Sequence, residues 1–268
     1  MRTRRSRLVL GSCPLILSVL LILSALPIFA LPASDGARAQ AAQTPPGMTE
    51  YYVGLLQRGP KWTAARTPET QAVQAGHMTH MNQLAADGLL VGAGPVAGDG
   101  NLRGVLILAG GSPDALRQRV EQDPAVRAGR LVLSLHKWLG PKDVGQAYVN
   151  EHKANPNAKD EMLLYQLAVL SKTAQWVPAT TPELQDLQKR HLAHIANLEA
   201  KGTLVAAGPF LDNNDEIRGI VVFAPGISES GGRAALSADP AVQAGRLLLT
   251  FHAWYVARGV LPEKPKQP

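Results

Sequence analysis

The sequence is poor in the residues on which several classes of site depend. Its only cysteine among 268 residues is Cys13. Because Cys13 lies in an N-terminal segment that we expect to be removed, the remaining chain can have no disulfide and no thiol chemistry. A protein without disulfides must be held together by its hydrophobic core, and the remaining length suits two small domains.

The segment expected to be removed has the three parts of a secretory signal. Residues 1–7 are basic, residues 8–31 are almost wholly apolar, and Ala37-Arg38-Ala39 gives a small-x-small cleavage site. We therefore predict a signal peptide at residues 1–39 and a periplasmic or secreted mature protein. The apolar run is also long enough to span a bilayer, so a retained N-terminal membrane anchor is the alternative.

Little excess charge remains once that segment is gone. Residues 1–39 hold five of the 27 Lys and Arg and one of the 21 Asp and Glu, so their removal lowers the net charge from +6 to +2. A nucleic-acid-binding protein carries a basic patch on its folded domain. We therefore predict no nucleic-acid partner, and no stable insertion in a membrane after cleavage of the signal.

The remaining chain contains an internal repeat. Residues 66–95 and 180–209 align without a gap and share Thr-Pro-Glu, His-x-x-His and Ala-Gly-Pro at the same places. Asp-Pro-Ala-Val recurs in the same way at 123–126 and 239–242. Tandem copies of roughly ninety residues have the size of a small domain. We assign the chain to repeat 1 (residues 48–139), a polar linker (140–160), repeat 2 (161–258) and a flexible tail (259–268).

Each repeat predicts the element order β-α-β-β-α-β. In repeat 1, Thr67 is a suitable N-cap, Pro68 takes the first helical position and Gly88 suits a left-handed stop. The second helix begins at Ser112-Pro113, and in repeat 2 the pair Gly231-Gly232 predicts a shorter or frayed helix. The predicted strands are 51–57, 89–96, 104–109 and 130–138 in repeat 1, and 164–170, 203–210, 219–224 and 246–254 in repeat 2.

This order predicts an α+β fold built from two ferredoxin-like repeats. Right-handed crossovers place both helices on one face of an antiparallel sheet and leave the other face bare. On the last strand of repeat 1, Leu131, Leu133 and Leu135 are expected under the helices, and His136 and Trp138 on the open face. We predict that the open faces pack sheet to sheet as a pseudo-dimer within one chain.

Two histidines of each repeat lie on the core-facing seam of the first helix, because apolar residues and histidines alternate there at spacings of three and four. The seams are Val73, His77, His80 and Leu84 in repeat 1, and Leu184, Leu187, His191, His194 and Leu198 in repeat 2. A buried imidazole needs a hydrogen-bond partner. His-x-x-His offers two metal ligands, but there is no cysteine and no third ligand at a recognisable spacing. We predict no metal and no other cofactor.

Taken together, these motifs resemble the YCII-related family, which belongs to the dimeric α+β barrels. The resemblance rests on His191-Leu192, Gly208-Pro209 and Asp239-Pro240-x-Val242, and it covers residues 50–139 and 162–256. It implies that the two ferredoxin-like repeats form a dimeric α+β barrel within one chain.

The resemblance also implies a histidine–aspartate acid–base pair, which falls at His77 with Asp123 and at His191 with Asp239. One branch of the family removes chloride from a chlorinated hydroxyhydroquinone, and related barrels isomerise lactones or oxidise aromatic rings. The implied function is lyase-, isomerase- or dehydrochlorinase-like chemistry on a cyclic or aromatic compound. The alternative is that the aspartates cap a turn and satisfy buried histidines, in a non-catalytic ligand-binding or structural envelope protein.

Eight further residues are candidates for contact with a small-molecule ligand: His80, His194, Arg103, Arg218, His136, His252, Trp138 and Trp254. The arginines could hold an anionic group, or could be solvated ends of the third strands. The residues on the open sheet faces could line a barrel interior, although packing between the two halves is the alternative that we favour. The expected partner is a small molecule, and a homo-oligomer is left open.

Overall fold

The computed structural model describes residues 44–212 and 216–263. The predicted signal peptide at residues 1–39 lies outside these ranges, so both its cleavage and its retention as an anchor stay predictions. Within the same ranges, no helix combines the length and the apolar character needed to cross a membrane.

Both repeats have the predicted element order. Repeat 1 contains β1 (Met48–Arg58), α1 (Pro68–Ala86), β2 (Leu90–Pro95), β3 (Leu102–Leu108), α2 (Pro113–Glu121), α3 (Pro124–Arg127) and β4 (Leu131–Pro141). A connecting helix, α4 (Gln146–Ala154), follows. Repeat 2 contains β5 (Met162–Lys172), α5 (Pro182–Ala200), β6 (Leu204–Pro209), β7 (Ile217–Phe223), α6 (Glu229–Ser237), α7 (Pro240–Gln243) and β8 (Leu247–Ala257). The βαββαβ prediction is confirmed, with a short additional helix before each last strand.

Local signals fix the helix that carries the histidines. The Thr67 hydroxyl accepts a hydrogen bond from the Thr70 amide at 3.3 Å, and the Thr70 hydroxyl accepts one from the Thr67 amide at 2.9 Å. These two bonds form a capping box that satisfies otherwise unpaired N–H groups. Gly88, with φ +72°, ends the helix in the left-handed region. The start of α1, and with it the position of its histidines, is therefore set locally.

Each repeat forms a four-stranded antiparallel sheet with its helices on one face. The strand orders are β2-β3-β1-β4 and β6-β7-β5-β8. The inner strand β1 pairs with the edge strand β4 from Met48 opposite Pro141 to Arg58 opposite Leu131. Leu131 and Leu135 belong to the core between sheet and helices, as predicted, whereas Trp138 belongs to a separate core on the other face.

The two sheets join edge to edge and close a barrel. The Leu211 amide, just after β6, donates to the Lys137 carbonyl of β4 at 2.7 Å. On the opposite side the Ala97 amide, just after β2, donates to the Ala253 carbonyl of β8 at 2.8 Å. The barrel within one chain is confirmed, since both edges of each sheet meet the edges of the other.

A glycine and a tryptophan stand at each of these junctions. The Trp138 indole N–H donates to the Gly208 carbonyl, and the Trp254 indole N–H donates to the Gly94 carbonyl, both at 3.2 Å. A Cβ added at Gly208 would overlap the backbone of Leu139, and one at Gly94 would overlap the backbone of the facing strand. The Ala-Gly-Pro motif of each repeat thus permits the close approach of two sheet edges.

The barrel interior is a packed hydrophobic core. Both tryptophans are fully buried there, among valine, leucine and isoleucine side chains from the two sheets. A core of this kind contributes about 25 cal/mol per Å² of apolar surface removed from water. Where the two tryptophans lie, the barrel interior is therefore filled by apolar side chains whose burial stabilises the fold.

The structure differs from the sequence expectation in three segments outside the two sheets. Helix α6 has nine residues, as α2 does, and is not the shorter helix that Gly231-Gly232 predicted. Its Gly232 lies against Phe251, where a Cβ would come within 2.8 Å of the ring. The expected linker contains helix α4. The start of the expected loose tail is ordered, since Val260 and Leu261 are buried in the barrel core.

Candidate functional site

The first histidine of each pair is hydrogen-bonded to the predicted aspartate. His77, in the middle of α1, lies with its Nδ1 2.6 Å from Oδ2 of Asp123. In repeat 2, Nδ1 of His191 lies 2.7 Å from Oδ2 of Asp239. The aspartate side chains are 0% and 1% exposed, whereas the imidazoles are 15% and 13% exposed. Each pair therefore has a buried carboxylate and an imidazole within reach of solvent.

The remaining carboxylate oxygen of each aspartate holds the backbone that follows it. Oδ1 of Asp123 accepts from the Ala125 amide at 2.7 Å, and Oδ1 of Asp239 accepts from the Ala241 amide at 2.8 Å. Asp123 and Asp239 are thus the N-caps of α3 and α7. The same side chain therefore caps a short helix and pairs with a histidine.

This arrangement fixes the tautomer of His77 and His191. An ionised carboxylate only accepts hydrogen bonds, so Nδ1 of each ring carries the hydrogen. In the neutral ring Nε2 is then left as the acceptor. An imidazole oriented in this way can take up a proton at Nε2 while the carboxylate stabilises the resulting charge. The pair has the chemistry of a general base.

The second histidine of each helix has a positioning role. Nε2 of His80 donates to the Arg119 carbonyl, and Nε2 of His194 donates to the Ala235 carbonyl, both at 2.9 Å. These bonds attach the histidine helix to the neighbouring helix, α2 or α6. In the described part of the chain, no group of three or more His, Cys, Asp or Glu side chains is arranged to hold a metal ion.

Arg103 and Arg218 each lie over a tryptophan. The guanidinium carbon of Arg103 is 5.0 Å from the Trp62 ring centroid, and that of Arg218 is 5.0 Å from the Trp176 centroid. Two more cations flank each ring: Arg58 and Arg130 at Trp62, and Lys172 and Arg246 at Trp176. Each ring face can stabilise the cations near it. Sequence reasoning missed these clusters, although the two tryptophans occupy equivalent places in the repeats.

The other histidines differ between the repeats. His136 is buried, and its Nδ1 lies 2.8 Å from Oδ2 of Asp212. His252, its counterpart, is half-buried, and burial lowers the pKa of its imidazole below the usual value of 6.5. Trp138 and Trp254 are fully buried, so the structure gives them a packing role where the sequence had offered ligand contact as one interpretation.

Comparison with known proteins agrees with this fold. Residues 50–137 match the YCII-related domain. A candidate chlorite dismutase aligns with a TM-score of 0.51 and 13% identity, over 79% of this chain and 97% of the other. A variant of chlorite dismutase from Candidatus Nitrospira defluvii aligns with a TM-score of 0.51 and 12% identity, over 80% and 92%. No curated protein matches the chain. At these identities the structural matches show the fold alone.

Proposed function

Since the chain carries a YCII-related domain on a dimeric α+β barrel, we propose that it is a small-molecule enzyme with a histidine–aspartate acid–base pair in each repeat. His77 and His191 are the acid–base groups, and Asp123 and Asp239 are the residues that position them. The supporting observation is that both pairs lie at 2.6–2.7 Å, with a buried carboxylate and a partly exposed ring.

The proposed reaction begins with removal of a proton from a small cyclic or aromatic substrate. Nε2 of the histidine takes the proton, and the aspartate stabilises the imidazolium. The same imidazolium can return the proton to another atom, which gives an isomerisation, or the substrate can lose a leaving group such as chloride, which gives an elimination. We propose lyase-, isomerase- or dehydrochlorinase-like chemistry of this kind.

Turnover of unsaturated lactones and halogenated hydroquinones tests this proposal. Replacing both His77 and His191 by Gln should lower kcat/KM by about 10²–10⁴-fold, the usual contribution of a positioned acid–base group. If the two sites are equivalent, each single variant should keep about half of the activity. His152→Gln is the matched control, since His152 lies on α4 and pairs with Asp160 at 3.2 Å.

Calorimetry on the same compounds separates catalysis from binding. Ligands that bind without turnover, and bind equally well to the double His→Gln variant, would favour the non-catalytic ligand-binding alternative. If no compound binds or reacts, the structural alternative is favoured, in which Asp123 and Asp239 cap a turn and satisfy buried histidines.

We further propose that this function is exercised outside the cytoplasm. The support is the signal-like composition of residues 1–39. Intact mass measurement of protein recovered from the periplasm or the medium should give a chain beginning at Gln40. A full-length chain in the membrane fraction would favour the anchor instead.

A further inference from the structure

A second group of polar side chains lies at the junction of the two sheets, apart from the histidine helices. Nε2 of His136 is hydrogen-bonded to the Ser134 hydroxyl, and Nδ1 of His136 lies 2.8 Å from Oδ2 of Asp212. Because the carboxylate only accepts, Nδ1 carries the hydrogen and Nε2 accepts from the serine. The order hydroxyl, imidazole, carboxylate is that of a serine nucleophile with its base and the carboxylate that positions the base.

Barrel closure assembles these three residues. Ser134 and His136 are two apart on β4, so they lie on the same face of the strand. Asp212 comes from repeat 2, just beyond β6, and is brought in by the hydrogen bond between the Leu211 amide and the Lys137 carbonyl. Phe210 stacks on the His136 ring at 4.7 Å and 14° between planes. The imidazole is therefore held by a carboxylate and by an aromatic ring.

Exposure to solvent falls along this face of β4, and Ser134 lies at its partly exposed section. Val132, at the start of the strand, is 46% exposed, Ser134 is intermediate, and His136 is 2% exposed. The base is thus shielded from water while the hydroxyl lies next to an exposed apolar side chain. Among the described residues, Oδ1 of Asp212 is buried without a hydrogen-bond partner, so within that part of the chain no other donor competes with His136 for the carboxylate.

Within the described ranges, the junction between β2 and β8 lacks the same arrangement. Thr250 and His252 occupy the places of Ser134 and His136 on β8, but the residue aligned with Asp212 is Gly98. A glycine offers no carboxylate, so this aligned position provides His252 with no equivalent of Asp212. Among the residues that the structure describes, one junction therefore carries this group and the other is a natural counterpart without the carboxylate.

We propose that Ser134 is a nucleophile that accepts acyl groups from small esters, with His136 as its base and Asp212 as the positioning residue. The Ser134 oxygen attacks the ester carbonyl carbon, and His136 takes the hydroxyl proton. The bond to the alkoxy group breaks, and the alcohol leaves with that proton. Water then attacks the acyl-serine, which releases the carboxylic acid and restores Ser134. The exposed Val132 side chain favours a short apolar acyl group.

The test uses a fluorophosphonate probe and 4-nitrophenyl acetate on the purified protein. We expect a covalent adduct that peptide mass spectrometry places on Ser134, and a burst of one nitrophenolate per chain. Ser134→Ala should abolish the adduct at this position. Asp212→Asn should slow labelling by at least about 100-fold, as expected when the base loses its orientation. Thr250→Ala is the matched control and should label at the wild-type rate.

Two results would overturn the proposal. One is a folded wild-type protein, verified by its thermal unfolding transition, that forms no adduct on Ser134 with either probe. The other is a Ser134 adduct that forms at the same rate in Asp212→Asn, since the hydroxyl would then react without the carboxylate. Asp212 is 27% exposed, so its replacement tests the arrangement with less risk to folding than replacement of buried His136.

Discussion

Asp123 and Asp239 each accept hydrogen bonds from two different groups, one at each carboxylate oxygen. One oxygen holds a histidine of the preceding long helix, and the other caps the short helix that follows. A carboxylate at this position therefore contributes to both stability and the orientation of the imidazole. Loss of the carboxylate should be measurable in the stability of the fold as well as in the proposed catalysis.

Replacement of Asp239 by Ala should lower the free energy of unfolding by about 2–4 kcal/mol. About 1 kcal/mol comes from the lost cap, and about 1–3 kcal/mol from leaving the half-buried His191 Nδ1 without a partner. Urea unfolding measures the change. Asp186→Ala is the control, because Asp186 pairs with Arg190 on the exposed face of α5 and such pairs contribute little. Equal effects at the two positions would contradict the double role of Asp239.

The stability of the protein should depend on pH through His252. Burial lowers the pKa of this imidazole, and Glu229 opposes that shift. Between the two pKa values, the unfolded chain binds a proton at His252 and the folded chain does not. The contribution of neutral His252 to the free energy of unfolding is therefore complete above about pH 6.5 and is lost as the pH falls toward the lowered pKa. In urea unfolding at a series of pH values, His252→Asn should flatten this part of the profile. Parallel profiles for variant and wild type would contradict the assignment.

At the scale of elements, the closest packing is where two sheet edges meet. Gly208 on β6 and Gly94 on β2 lie against the backbone of the other sheet, and each accepts a tryptophan N–H. No side chain can be accommodated there without movement of one edge. The edge contact therefore requires glycine at both positions.

Gly208→Ala should destabilise the protein by at least about 3 kcal/mol, because the added methyl group would force β6 away from β4. Gly100→Ala is the matched control, since a Cβ there meets nothing within 4 Å. Chemical denaturation of both variants measures the difference. A destabilisation below about 1 kcal/mol at Gly208 would show that the edges can separate without loss of the barrel.

Local signals made some elements predictable from sequence and left others hidden. Thr67 and Pro68 start α1 through bonds within four residues, and the alternation along β4 assigns both of its faces. Helix α4 has no capping side chain at its start. Its first turn is instead tied to the tail through the Tyr148 amide and the Gly259 carbonyl at 3.0 Å, a contact between distant residues that periodicity cannot indicate.

The candidate sites show the same limit. Residue spacing alone placed His77 and His191 on a core seam, and only the family resemblance paired them with Asp123 and Asp239. The resemblance contains no information on Asp212. Its contact with His136 arises because β4 and β6 meet at the barrel junction, and that meeting is a property of two repeats folded together.

At the scale of the whole molecule, the repeats depend on each other. Each sheet buries its open face against the other. At each junction an edge strand of one sheet meets an edge strand of the other. The full chain should therefore unfold in one cooperative transition, measured by calorimetry and by tryptophan fluorescence, since all four tryptophans lie in the two repeats.

An isolated repeat 1, residues 44–142, should not be a stable monomer, because its apolar sheet face would be exposed to water. We expect a homodimer that reproduces the barrel, or an unfolded chain, and light scattering after gel filtration distinguishes these. A folded monomer with a native-like thermal transition would contradict the dependence of one repeat on the other.

Because the two halves are joined in one chain, their sequences can differ from each other. A barrel made from two identical subunits must place the same residue at both of its junctions. Here one junction carries Asp212 beside His136, and the equivalent place at the other carries Gly98. The duplicated chain can therefore change one junction while the other keeps the barrel closed, and a new activity can arise at one junction without a second copy of the same change.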